Sequence, residues 1–105
     1  MGEKSIGLVR TTNALIAAET NRSGTITSGG AAQVLMAANT GRLGFWVQNL
    51  SVGDLWISTV GDAAATQPSM QLPAGSFYEP STGVFGGAIS IYGATTGQAF
   101  SAREW

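Results

Sequence analysis

The chain has 105 residues, enough for one domain with one modest core, and its net charge is −1, from five basic and six acidic residues. Charged residues make up 10% of the sequence, against about 25% in typical proteins, and such weak self-repulsion favours a component of an assembly. The basic residues are scattered, which disfavours both nucleic-acid binding through a concentrated basic face and electrostatic attachment to an anionic membrane.

The first 23 residues differ in texture from the rest of the chain. Ile6, Leu8 and Val9 form a short apolar patch, and Thr12–Glu19 has the composition of a capped helix of two turns. A helix of that length is marginal in isolation. We therefore predict that residues 1–23 form an N-terminal arm, extended or partly helical, that becomes ordered against the body or against a neighbouring subunit.

From residue 24 onward, short segments rich in β-forming residues recur between glycine, proline, asparagine and aspartate. This spacing is typical of a sandwich or barrel. The predicted strands, in chain order, are 25–27, 33–36, 43–49, 54–58, 70–72, 77–79, 88–92 and 98–105. We predict that residues 24–105 form an all-β body: a single antiparallel β-sandwich, jelly-roll-like, with about seven or eight strands.

The two-residue period of these strands predicts which side chains are buried. In the strongest segment Leu43, Phe45 and Val47 point to one side, and Ile89 and Ile91 do so in a later strand. We expect all five side chains in the core.

The tryptophans are the most informative side chains outside that core. Trp46 and Trp56 fall opposite the core faces of two strands that a hairpin at residues 51–53 would make adjacent. Burial in the second half of the sandwich or under the arm, and contact with another subunit, are equally weighted interpretations, and a sugar-stacking platform is a third. Trp105 is expected to be held in the core or in a partner's pocket.

The chain lacks histidine and cysteine, which removes the usual nucleophile–base pairs, thiolate ligands and disulfides. The acidic residues of the body are Asp54, Asp62, Glu79 and Glu104. The first two lie beside glycine in predicted turns, and the other two are expected to be solvated charges at strand ends. We therefore predict no enzymatic activity, no metal site and no cofactor.

The segment Arg42–Asn49, with the turn and Leu55–Ile57 that follow, resembles a pattern common in small virion proteins of tailed bacteriophages. The likeness continues at Leu72–Phe77, Gly87–Tyr92 and Thr96–Phe100. This resemblance implies a structural virion protein without fixing its place on the particle. The short length, the β-sandwich and the arm favour a capsid decoration, or cement, protein.

Such a protein would be made in the host cytoplasm and found in the virion. It would bind the major capsid protein or another virion protein, associate with itself, and stabilise the assembled shell by bridging neighbouring subunits. The alternatives are a tail, baseplate or fibre-associated module that binds host glycan, and a small polysaccharide-cleaving enzyme. The residues predicted to form the protein interface are Ile6, Leu8, Val9, Trp46, Trp56 and Trp105.

Overall fold

The computed structural model describes residues 18–105. Over this range the fold is all-β, as predicted, with two antiparallel sheets. The strands are β1 (Thr20–Asn21), β2 (Gly24–Thr25), β3 (Gln33–Met36), β4 (Phe45–Asn49), β5 (Leu55–Ser58), β6 (Met70–Leu72), β7 (Phe77–Tyr78), β8 (Ile89–Gly93) and β9 (Ala99–Glu104). Residues 18–105 contain no helix, and hence none long and apolar enough to cross a membrane.

The two sheets have different strand orders. The five-stranded sheet runs β1–β9–β4–β7, with β2 also paired to β9, and the four-stranded sheet runs β3–β8–β5–β6. Thr20 lies opposite Glu104 and Thr25 lies opposite Ala99, so β1 and β2 follow one register along β9. They are a single edge strand interrupted at residues 22–23. β1 belongs to the segment predicted as the arm, so the last residues of that segment form part of the sheet.

The connection between β4 and β5 does not form the predicted hairpin, because the two strands belong to different sheets. The side chain of Asn49 is hydrogen-bonded to this connection and to β6. Its oxygen accepts hydrogen bonds from the backbone and hydroxyl of Ser51, at 2.8 and 2.7 Å. Its amide nitrogen donates to the carbonyl oxygens of Gly53, at 2.7 Å, and of Leu72 in β6, at 2.8 Å. These bonds carry the chain from one sheet to the other.

The core fills the space between the two sheets, and it contains four of the five side chains that the alternation predicted there. Phe45, Val47, Ile89 and Ile91 are buried, as expected. Among residues 18–105 the core side chains are Ile26, Leu35, Met36, Phe45, Val47, Leu55, Ile57, Leu72, Ile89, Ile91, Phe100 and Ala102.

Leu43 is the exception, since its side chain is 63% exposed. The prediction that it lies in the core is wrong because the strand begins only at Phe45. Ahead of that strand, the backbone N–H of Leu43 donates to the carbonyl oxygen of Trp105 at 2.6 Å. The buried side chain in this stretch is the neighbouring Arg42.

One end of the core is closed by a buried carboxylate. Glu104, predicted as a solvated charge, has only 2% of its side chain exposed because it shares the inward side of β9 with Ala102. It accepts hydrogen bonds from Nε of Arg42 at 2.8 Å, from Nε of Arg22 at 2.6 Å and from the amide of Asn39 at 3.2 Å. These hydrogen bonds offset the free-energy cost of removing the charge from water.

Arg42 connects that carboxylate to two loops. Its Nη1 donates to the carbonyl oxygens of Phe85 and Gly87, and its Nη2 donates to the carbonyl oxygen of Ala37 at 2.8 Å. The Arg42 side chain is fully buried. The β3–β4 connection, the β7–β8 connection and the end of β9 are thus held by one guanidinium group.

The ionisation of Glu104 makes stability depend on pH. Burial raises the pKa of this carboxyl group, but hydrogen bonds from Arg42, Arg22 and Asn39 and the charge of Arg42 outweigh burial and hold the pKa below its ordinary value. A carboxyl group with a lower pKa in the folded state stabilises the fold above its unfolded-state pKa. That contribution is lost as the pH falls through the folded-state pKa.

We therefore expect urea unfolding to give a free energy of unfolding that is steady above about pH 5 and falls in more acidic solution. Glu104→Gln should flatten part of this slope, and Glu79→Gln, which alters an exposed acid, should leave it unchanged. An identical acid slope in the wild type and in Glu104→Gln would contradict the assignment.

Candidate interaction surfaces

The outer side of the five-stranded sheet carries two of the predicted interface residues. Trp46 alternates with the buried Phe45 and therefore points outward, opposite Arg103 of β9. Gly44 and Trp105 exchange backbone hydrogen bonds of 3.1 and 3.0 Å, which makes them directly opposite on the same two strands. Trp46 and Trp105 therefore share one face of the body.

Trp46 is the centre of a small aromatic group. Its ring centroid lies 5.7 Å from that of Phe77, whose side chain is 52% exposed. The guanidinium carbon of Arg103 lies 5.2 Å from the Trp46 ring centroid, and this guanidinium also pairs with Glu19 at 2.9 Å. We name the outward group of Trp46, Phe77, Arg103 and Trp105 the tryptophan face.

The position of the Trp105 ring on this face requires the glycine at position 44. A Cβ atom at Gly44 would come within 2.5 Å of the Trp105 indole, so only a residue without a side chain lets the ring lie there. The indole is half-buried in this position. Trp105 therefore adds area to the tryptophan face without filling the core.

Trp56 lies on the opposite side of the body. It points outward from β5, in the four-stranded sheet, and lies directly opposite Tyr92 of β8 and Gln71 of β6. The prediction of adjacent strands for Trp46 and Trp56 is wrong, and the two rings do not form one platform. The structure therefore places the three predicted interface tryptophans on two separate surfaces.

The remaining predicted interface residues, Ile6, Leu8 and Val9, lie outside the described residues. The neighbours of Trp46 and Trp56 that were not predicted from the sequence are Phe77, Arg103, Tyr92 and Gln71. An outward position could have been predicted for Tyr92, because it alternates with the inward Ile91. Which tryptophan lies beside Tyr92 depends on strand pairing, and strand pairing cannot be predicted from a local sequence pattern.

The acidic residues of the body take separate places. Asp54 accepts a hydrogen bond from the amide of Gln71 at 2.8 Å, Glu79 is exposed, and Asp62 lines a cavity. Among residues 18–105 there is no group of three or more histidine, cysteine, aspartate or glutamate side chains placed to hold a metal ion.

The cavity has a volume of about 380 Å³ and opens beside β3. Its walls include the exposed apolar side chains of Val34 and Phe85, together with Ser90. The Ser90 hydroxyl already accepts a hydrogen bond from the backbone of Ala63 at 2.9 Å. Asp62 is the one ionisable side chain that the described part of the chain contributes to the wall, and the amide of Gln33, also in the wall, is bonded to the backbone of Thr25 and Thr27.

Comparison of the chain with protein-family models, with curated proteins and with solved structures finds no match.

Proposed function

We propose that this chain is a structural protein of a tailed-phage virion, and specifically a capsid decoration protein that acts by contact alone. In this proposal the tryptophan face docks on the major capsid protein or on another virion protein, and copies of the chain associate with one another. The protein would be made in the host cytoplasm and become part of the particle. It would need no catalytic group, metal or cofactor.

The observation that carries the proposal is the tryptophan face. Tryptophan, arginine and other aromatic residues are enriched at the centres of protein interfaces, where burial of their large side chains supplies most of the binding free energy. Here Trp46, Phe77 and Arg103 are already in contact, so little side-chain entropy remains to be lost on docking. Because only 10% of the residues are charged, few charged side chains have to be desolvated on docking.

We further infer that the two sheets form a sandwich with jelly-roll topology. Counting β1 and β2 as one strand gives eight strands, and the orders β2–β9–β4–β7 and β3–β8–β5–β6 support this interpretation. Most successive strands change sheet, as two interleaved Greek keys require. Jelly rolls occur in viral capsid and lectin domains, which makes the topology compatible with a virion role. A fold alone does not assign a function.

The proposed mechanism is mechanical. A protein that binds across neighbouring capsid subunits favours the closed shell, because its binding free energy is lost when the subunits separate. The gain grows with the concentration of the decoration protein relative to its dissociation constant. Shell stability should therefore rise as sites fill.

Location on the particle tests the proposal. Particles produced from the genome that encodes this chain are imaged by electron microscopy with a gold-labelled antibody against the protein. We expect label distributed over the head. Label confined to the tail would overturn the decoration assignment, and particles without label would overturn the virion role.

Variants of the two outer surfaces test the docking face. Heads that lack the protein are mixed with purified Trp46→Ala or with the matched control Trp56→Ala, and bound protein is measured after sedimentation. We expect Trp46→Ala to bind at least tenfold more weakly, a loss of about 1.4 kcal/mol, and Trp56→Ala to bind like the wild type. The reverse result would place the docking surface on the four-stranded sheet.

A further inference from the structure

The outer side of the four-stranded sheet holds a row of side chains unlike those of the tryptophan face. Tyr92, Trp56 and Gln71 lie directly opposite one another on β8, β5 and β6. Directly opposite side chains on one face have Cβ atoms about 5 Å apart, so the three form a continuous strip about 10 Å long. Both aromatic side chains are half-buried and Gln71 is exposed.

A loop bounds this row on one side. The β5–β6 connection folds back over the same sheet face, where the backbone N–H of Ala63 donates to the hydroxyl of Ser90 at 2.9 Å. Ala63 and Ser58 are only 3% exposed as a result. The loop covers this part of the face, whereas Trp56 and Tyr92, in the same two strands, remain half-exposed.

Polar groups stand at the end of the row. Asp54 precedes Trp56 by two residues and therefore points to the same outward side. Its Oδ2 accepts a hydrogen bond from Nε2 of Gln71 at 2.8 Å. This bond fixes the Gln71 amide. Within residues 18–105 neither the amide oxygen of Gln71 nor Oδ1 of Asp54 takes part in this bond or accepts another. An aromatic surface therefore ends at oriented donors and acceptors.

We infer that this row, formed by Trp56, Tyr92, Gln71 and Asp54, is a binding site for a neutral oligosaccharide built of pyranose rings. A pyranose ring has an apolar C–H side that packs on an aromatic ring. Its edge of hydroxyl groups can exchange hydrogen bonds with an amide and a carboxylate.

The charges near the row select a neutral sugar. The basic side chains of the described residues lie elsewhere: Arg22 and Arg42 bind Glu104, and Arg103 lies on the outer side of the other sheet. An anionic sugar would therefore meet the carboxylate of Asp54 without a compensating cation. An apolar protein surface is also a poor occupant, because docking would bury that carboxylate unpaired.

This site is independent of the proposed shell contact, since it uses the opposite sheet. Either surface can fail its test without changing the outcome for the other. A decoration protein with both surfaces would hold the particle on one side and bind carbohydrate on the other.

Direct titration tests the inference. The purified full-length chain is titrated with cellopentaose, maltopentaose and chitopentaose by isothermal calorimetry, and the three indole N–H signals are followed by NMR. We expect saturable binding of at least one of these probes, with the signal of Trp56 shifting and that of Trp46 unchanged. No binding of any of the three, or a shift confined to Trp46 or Trp105, would overturn the inference.

Variants then separate stacking from hydrogen bonding. Trp56→Ala should weaken binding at least tenfold, and Trp46→Ala, the matched control on the other sheet, should bind like the wild type. Gln71→Ala alters an exposed side chain and should keep the fold while weakening binding severalfold. Unchanged affinity in both Trp56→Ala and Gln71→Ala would assign the binding to another surface.

Discussion

Replacement of Arg42 by methionine should lower the free energy of unfolding by about 3–5 kcal/mol, because one partner of a buried ion pair is removed and the other charge remains. Glu104 would keep its hydrogen bonds from Arg22 and Asn39, but it would lose the partner that is itself fully buried. The three carbonyl oxygens that Arg42 binds in two loops would also lose their donor. Equilibrium unfolding in urea measures the loss.

Two control variants separate the buried pair from other charge effects. Arg22→Met removes a donor to the same carboxylate, but its side chain is 40% exposed and should cost much less. Arg103→Met removes an exposed pair with Glu19 and should cost about 1 kcal/mol or less. A loss in Arg42→Met no larger than in Arg22→Met would show that the buried guanidinium is not the main stabilising group.

The double variant Arg42→Met with Glu104→Leu tests the coupling between the two groups. Replacement of both buried charges by apolar side chains removes the uncompensated carboxylate, so part of the lost stability should return. The recovery stays incomplete because the loop carbonyl oxygens still lack a donor. Strictly additive losses from the two single changes would contradict a direct interaction.

Local features of the chain could be predicted from sequence, because alternation acts over neighbouring residues. Phe45 and Val47, and likewise Ile89 and Ile91, occupy the core as their spacing predicts. The all-β class of residues 18–105 follows from the same spacing, since their apolar residues alternate in segments too short for a helix.

Features that depend on strand pairing could not be predicted. Arg42 and Glu104 are 62 positions apart, and nothing near either residue indicates the other. The prediction that Glu104 is solvated followed from its residue type alone. In β9 the side chain instead lies on the inward side with Ala102. The sequence places Trp46 on an outer surface but does not show that Trp105 shares it. That placement depends on hydrogen bonds between Gly44 and Trp105.

Asn49 closes the other end of the core, and Asn49→Ala should lower the free energy of unfolding by about 3 kcal/mol. Its amide group is fully buried and makes four hydrogen bonds, two of them to the carbonyl oxygens of Gly53 and Leu72. Each buried polar group left without a partner costs about 1–3 kcal/mol. The bond to Leu72 also joins β4 to β6, across the two sheets.

Asn49→Asp distinguishes these hydrogen bonds from simple packing. Aspartate has nearly the same volume, so the core stays filled, but at neutral pH a carboxylate oxygen replaces the amide donor and faces two carbonyl oxygens. We expect a loss at least as large as in Asn49→Ala. It should shrink in mildly acidic solution, because protonation of the new carboxyl group restores one donor and removes the buried charge.

Gln48→Ala is the matched control for both variants. Gln48 is the residue before Asn49 and is half-buried. Its amide makes only a 3.4 Å hydrogen bond, to the carbonyl oxygen of Gly75. The cost of this change should stay near 0.5 kcal/mol in the same urea titrations. If Asn49→Asp were as stable as Gln48→Ala, the link between the sheets would not depend on the Asn49 amide. The end of the core near β6 would then be held by apolar packing alone.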